Sequence, residues 1–119
     1  MIVEKTATTL EDGIENLLES AKTDYINRYG DDVNSDVAKT MIDRFNNGFV
    51  VKSGQKYIKI MCENGGSAWA FIVKDDTGKF KKGDILKCAG WNKPATNAPR
   101  GNVLDGMYEI NWTGPMYLS

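Results

Sequence analysis

The chain has no histidine. That absence removes the commonest general base, the Ser–His and Cys–His nucleophile pairs and most zinc sites. An enzyme built from this sequence would have to work through carboxylates, lysine or tyrosine. Cysteine is nearly as scarce. Cys62 and Cys88 fit no metal or redox spacing and read as reduced thiols. No apolar run approaches the roughly 20 residues that a membrane-spanning helix needs. The opening residues, Met1-Ile2-Val3-Glu4-Lys5, lack a hydrophobic signal region, so the expected location is the cytoplasm. With no internal repeat, linker or low-complexity segment, the 119 residues are expected to form one domain, 1–119.

The net charge of −1 hides an asymmetry. Residues 1–47 carry five basic and ten acidic side chains, a balance of −5, whereas residues 48–119 carry ten basic and six acidic ones, a balance of +4. A basic second half can attract a small anion, while the acidic first half argues against an extended nucleic-acid groove.

Hydrophobic periodicity divides the chain at the same place. Leu10, Ile14, Leu17, Leu18, Ala21, Tyr25, Ile26 and Tyr29 recur at steps of three and four, which predicts a helix opening at Thr9 and closing at Gly30. Asn34-Ser35-Asp36 offers a second N-cap, and Val37, Ala38, Met41, Ile42 and Phe45 mark a shorter helix that stops at Gly48. From there the period is strand-like. Strands are expected over Phe49–Lys52, Lys56–Cys62, Ala68–Val73, Phe80–Lys87 (broken by Gly83-Asp84), Met107–Trp112 and Met116–Leu118, with residues 1–8 as a lead-in or edge strand. The expected fold class is α+β: two N-terminal helices over 1–47, then a strongly bent antiparallel sheet of five or six strands over 48–119. Two helices alone would leave apolar stripes uncovered, so an interlocked homodimer is also expected.

Between the last two long strands lies Cys88–Asn102, a stretch without helical or strand period that holds two prolines, two glycines, Trp91 and Arg100. Structureless loops of this length are uncommon in compact domains and often functional. Trp91 can stack on a base or anchor the loop. Arg100 can grip a phosphate, Gly101 permits close backbone approach, and Asn92, Asn97 and Asn102 can donate and accept at once, as the edge of adenine requires. Lys93 and Lys82 flank the loop with positive charge. With Phe71 in the central strand they complete the candidate ligand-binding set. Trp69 and Trp112 read as core or interface residues. Asp75-Asp76-Thr77-Gly78-Lys79 lacks the later bidentate Glu of a calcium loop, and Gly78-Lys79 lacks the glycine spacing of a phosphate loop, so no metal or cofactor is expected.

The segments Ala68–Val73, Gly83-Asp84-Ile85-Leu86-Lys87, Trp91-Asn92-Lys93-Pro94-Ala95, Pro99-Arg100-Gly101-Asn102-Val103 and Trp112-Thr113-Gly114-Pro115 resemble small proteins carried by tailed bacteriophages. Within that group the chain is similar to the Thoeris anti-defence proteins of the first described type. The motifs cover residues 49–119, and the likeness over 1–47 rests on helical layout. The resemblance implies a non-catalytic "sponge" in the host bacterial cytoplasm, a homodimer or higher oligomer. It would sequester a cyclic ADP-ribose-type signal made by TIR-domain enzymes, and in some members cyclic oligonucleotides. Two other readings stay open on the residues alone: a protein-binding inhibitor of a host target that uses the acidic helices, and a small hydrolase built on Asp84 or Asp105.

Overall fold

The computed structural model describes residues 1–116. Helix α1 spans Leu10–Asn27 and α2 spans Asp36–Asn47. Each starts where a side chain supplies an acceptor that the first turn lacks. Thr9 Oγ1 accepts from the Asp12 N–H and Ser35 Oγ from the Ala38 N–H, both at 3.1 Å. The first helix stops short of Tyr29, and a 3-10 turn over Gly30–Asn34 leads into the second. Ile14, Leu17, Ala21 and Tyr25 form the buried face of α1. Gly13 belongs in its first turn for a packing reason: a Cβ there would lie 2.8 Å from the Val103 carbonyl oxygen.

The strands are β1 (Ile2–Val3), β2 (Val50–Ser53), β3 (Tyr57–Cys62), β4 (Ser67–Val73), β5 (Ile85–Leu86), β6 (Cys88–Gly90), β7 (Lys93–Pro94), β8 (Tyr108–Asn111) and β9 (Gly114–Pro115). All pair antiparallel. The α+β class with two helices therefore holds, but the single bent sheet is replaced by three: β2-β3-β4-β5, β1-β8-β9 and the hairpin β6-β7. The expected Phe80–Lys87 strand shrinks to Ile85–Leu86 because polar side chains hold its first half in turns. Thr77 Oγ1 accepts from the Phe80 N–H at 2.9 Å and Asp84 Oδ2 from the Lys81 N–H at 2.9 Å. The lead-in is an edge strand, with Val3 opposite Tyr108. Of the expected last segment, Met116–Leu118, only Met116 lies within the described residues.

The four-stranded sheet has two buried faces. Ile60, Ala70, Ile72 and Ile85 pack with Leu17 and Ala21 of α1 in the main core. Phe71, Val73 and Leu86 point the other way and pack with Phe80, Tyr57 and Cys88. Between Ile60/Ala70 and Met61/Ala68 the register slips by one, so Trp69 is the extra residue of a β-bulge. The bulge resets the alternation: Trp69 joins Ala70 and Ile72 in the main core instead of sharing a face with Phe71.

Candidate functional site

On the Phe71 face, three strands set side chains in one row. Lys52 of β2 pairs with Lys59 of β3, and Lys59 pairs with Phe71 of β4. Directly opposed side chains in an antiparallel ladder share a face and lie close together. Like charges directly opposite one another destabilise a ladder, and neither lysine has a carboxylate within ion-pair distance among the described residues. What Lys59 does have is Trp91. Its Nζ lies 3.5 Å from the centroid of the indole ring and donates to Asn92 Oδ1 at 2.9 Å. An ammonium over an indole face is attracted by the ring quadrupole.

Trp91 and Asn92 reach that position because they form the tip of the β6–β7 hairpin, in which Gly90 faces Lys93. The stretch expected to be structureless thus begins with a small ordered hairpin, which brings its turn over β3. Trp91 stays 49% exposed, so one face of the indole is covered by Lys59 while much of the ring meets solvent. The cavity beside it has a volume of about 490 Å³. Tyr57, Met61 and Phe71 provide apolar surface, with the Tyr57 and Phe71 rings edge to face at 6.0 Å. Lys52, Lys56 and Lys59 supply charge, and Ser53, Gln55 and Asn92 supply neutral hydrogen-bonding groups. Among the described residues no carboxylate lines it. Lys74 Nζ, bound to the Gly54 carbonyl at 2.9 Å, adds a cation beside the β2–β3 turn. Cys88 closes the hairpin's base, and burial pushes its thiol up despite the opposing influence of Lys87 and Lys59. A shift in that direction leaves less thiolate than in a free cysteine.

The site therefore gathers Phe71, Trp91 and Asn92 from the residues expected to bind ligand. The others lie elsewhere. Lys93 faces Gly90 on β7, and Asn97 is exposed in the following loop. The run Arg100-Gly101-Asn102 continues the main sheet beyond β5. The Arg100 N–H donates to the Ile85 carbonyl at 2.8 Å, the Ile85 N–H donates to the Gly101 carbonyl at 2.9 Å, and Asp84 bridges Asn102. Gly101, with φ of +145°, is needed because a side chain there would run into Tyr108. The Arg100 guanidinium donates to the Ala98 carbonyl at 3.0 Å.

Asn102 is buried and fully committed. Its Nδ2 donates to the Lys82 carbonyl and to Asp84 Oδ1, and its Oδ1 accepts from the Leu104 and Asp105 N–H groups. Those four bonds use the whole capacity of the amide, which leaves none for a ligand. Lys82 meets this cluster through its backbone, its N–H donating to Asp76 Oδ1. Of the two acids of the hydrolase reading, Asp84 accepts from Asn102 Nδ2 and the Lys81 N–H inside this cluster, and Asp105 pairs with Lys81 Nζ at 2.9 Å on the surface.

Residues 3–118 match a family described as "Family of unknown function (DUF7717)". The chain belongs to this family. No curated protein and no solved structure matches it. As the match runs from β1 through β9, this DUF7717 member carries the hairpin, the lysine row and the aromatic floor within its family region.

The residues that sequence reasoning passed over are Lys52, Lys56, Tyr57 and Lys59. A usable signal was present. Tyr57, Lys59 and Met61 alternate along one face of a strand, and a hairpin turn near Ser53-Gly54 sets Lys52 opposite Lys59.

Proposed function

We propose that the protein binds a small anionic nucleotide in the cavity beside Trp91 and holds it without chemical change. The observation that carries this reading is the like-charged Lys52–Lys59 pair beside an exposed indole. A bound phosphate or pyrophosphate converts the repulsion between the two ammonium groups into two attractions, and Lys56 offers a third. The base stacks on the accessible part of Trp91, an interaction worth about 1–3 kcal/mol. The Asn92 and Gln55 amides are placed to read a base edge or sugar hydroxyls. No step in this account needs a general acid, base or nucleophile.

The resemblance to phage anti-defence proteins gives the ligand its type: a cyclic ADP-ribose-type signal made by TIR-domain enzymes, captured in the host bacterial cytoplasm. The protein acts as an interlocked homodimer. Val37 is 72% exposed on α2 and Val51 47% exposed on the edge strand β2, apolar surface that a second copy can cover.

Incubation with cyclic ADP-ribose, removal of unbound ligand and heat denaturation test the reading. Depletion on mixing and recovery of intact ligand on heating are expected. Failure of the ligand to deplete contradicts binding, and recovery of a cleaved product contradicts sequestration. Light scattering tests the dimer.

A further inference from the structure

A second cavity, of about 400 Å³, opens on the α-helical side of the main sheet, away from the Phe71 face. Among the described residues four aromatics line it: Tyr25 of α1, Phe45 of α2, Trp69 at the bulge of β4, and Trp112 between β8 and β9. They are fixed against one another. Tyr25 and Phe45 stack with centroids 4.2 Å apart and planes 7° from parallel, and Trp112 meets Tyr25 edge-on at 5.2 Å. Trp69 Nε1 donates to the Trp112 carbonyl, and the Trp112 N–H donates to Asp24 Oδ2. The bulge brings Trp69 to this side, since regular alternation would have placed it with Phe71.

The ends of both helices add charge. Arg28, which caps α1, and Arg44, in the last turn of α2, both line the cavity and are solvent-exposed. Neither is in an ion pair among the described residues. The Arg28 guanidinium instead lies over three rings, 4.7 Å from the Trp112 centroid, 5.2 Å from Tyr25 and 5.3 Å from Tyr29. A guanidinium resting on rings keeps its fork of N–H donors available for a planar anion. Among the described residues Glu63 is the one carboxylate lining the cavity, so their side chains give it a surplus of one positive charge.

We propose that this cleft is a second ligand site, distinct from the Trp91 cavity, for a small planar aromatic carrying one anionic group. The flat ring lies against Trp112 and the Tyr25–Phe45 stack, and the anionic group takes the fork of Arg28 with Arg44 across from it. A few convergent polar groups over a mainly aromatic lining, in a volume of several hundred Å³, is the usual make-up of a small-molecule site. Its failure would leave the nucleotide reading intact, because the two cavities share no lining residue among the described ones.

Titration of the protein with 2-naphthoate, followed by the indole N–H signals of all three tryptophans and the Arg28 Nε–H signal, tests this. The neutral analogue 2-naphthylmethanol is the control. Saturable shifts at Trp112, Trp69 and Arg28 are expected, with naphthoate binding about tenfold or more tighter than the alcohol. Arg28→Gln should remove that preference while leaving the affinity for the alcohol unchanged, and Lys52→Ala should leave both ligands unaffected. Equal affinities for the two compounds in the unaltered protein would overturn the proposal even if the variant failed to fold. So would shifts confined to Trp91, or no saturation.

Discussion

Lys52 stands directly across the β2–β3 ladder from Lys59, and the Lys59 ammonium rests on the face of Trp91, 3.5 Å from its centroid. Like charges directly opposite one another weaken a sheet, whereas favourable opposed pairs contribute roughly 0.2–1 kcal/mol relative to Ala–Ala. Without ligand, Lys52→Thr should therefore leave stability unchanged or raise it by up to about 1 kcal/mol. With nucleotide present the same change should weaken binding. Urea denaturation with and without ligand measures both effects, and a large loss of stability in the ligand-free variant would mean that Lys52 has a structural role.

Trp91 separates binding from folding. It is 49% exposed at a hairpin tip, so Trp91→Ala should change the unfolding midpoint little. Its effect on nucleotide affinity should be about 1–3 kcal/mol, read by calorimetry. Loss of stability without loss of affinity would show that the indole only anchors the hairpin.

Asn102 should behave the opposite way. Asn102→Ala breaks four hydrogen bonds and leaves the buried Asp84 short of a partner, so a destabilisation of about 1–3 kcal/mol or more is expected in urea. Arg100→Ala, two residues earlier in sequence and outside the Trp91 cavity, should leave nucleotide affinity close to that of the unaltered protein.

These contrasts show what the sequence could reveal. Helix starts were legible because capping is local: Thr9 and Ser35 act on N–H groups three residues away. The division into helical and strand halves was legible from period. The site was not, because its residues come from β2, β3, β4 and the β6–β7 turn, joined only by register. Arg100-Gly101-Asn102 drew attention for sound chemical reasons. Yet the donors and acceptors that suit adenine suit backbone groups equally well, and here Asn102 spends them on Lys82, Asp84, Leu104 and Asp105. The one-residue slip that sends Trp69 to the helix side has no sequence mark beyond the small neighbours Ala68 and Ala70.

Gly13→Ala should reverse a familiar rule. Alanine normally stabilises a helix interior relative to glycine by roughly 0.5–1 kcal/mol. Here the new Cβ meets Val103 at 2.8–2.9 Å, so the variant should lose about 1–3 kcal/mol, as overpacked cores do. Adding Val103→Ala should recover part of the overpacking penalty in a double-mutant cycle.

Tyr108 contributes to the loss of stability in alkali. Its hydroxyl is buried with no hydrogen-bond partner among the described residues, and burial pushes its pKa up from the ordinary value. The unfolded chain ionises this tyrosine near pH 10 while the folded chain does not. Its contribution is therefore fully present below about pH 10 and falls as pH rises above that. Tyr108→Phe should remove this part of the alkaline loss and, by deleting an unsatisfied group, raise stability at pH 7 by about 1 kcal/mol or leave it unchanged. Denaturation at pH 7 and in mild alkali checks both.

The most direct test of the central claim is equilibrium dialysis of cyclic ADP-ribose against the unaltered protein, the Lys52→Ala/Lys59→Ala double variant and Arg100→Ala. Saturable binding to the unaltered protein and to Arg100→Ala, lost in the lysine variant while its fold is retained by circular dichroism, is the expected result. Undiminished binding by the lysine variant, or loss in Arg100→Ala alone, would contradict a nucleotide site beside Trp91.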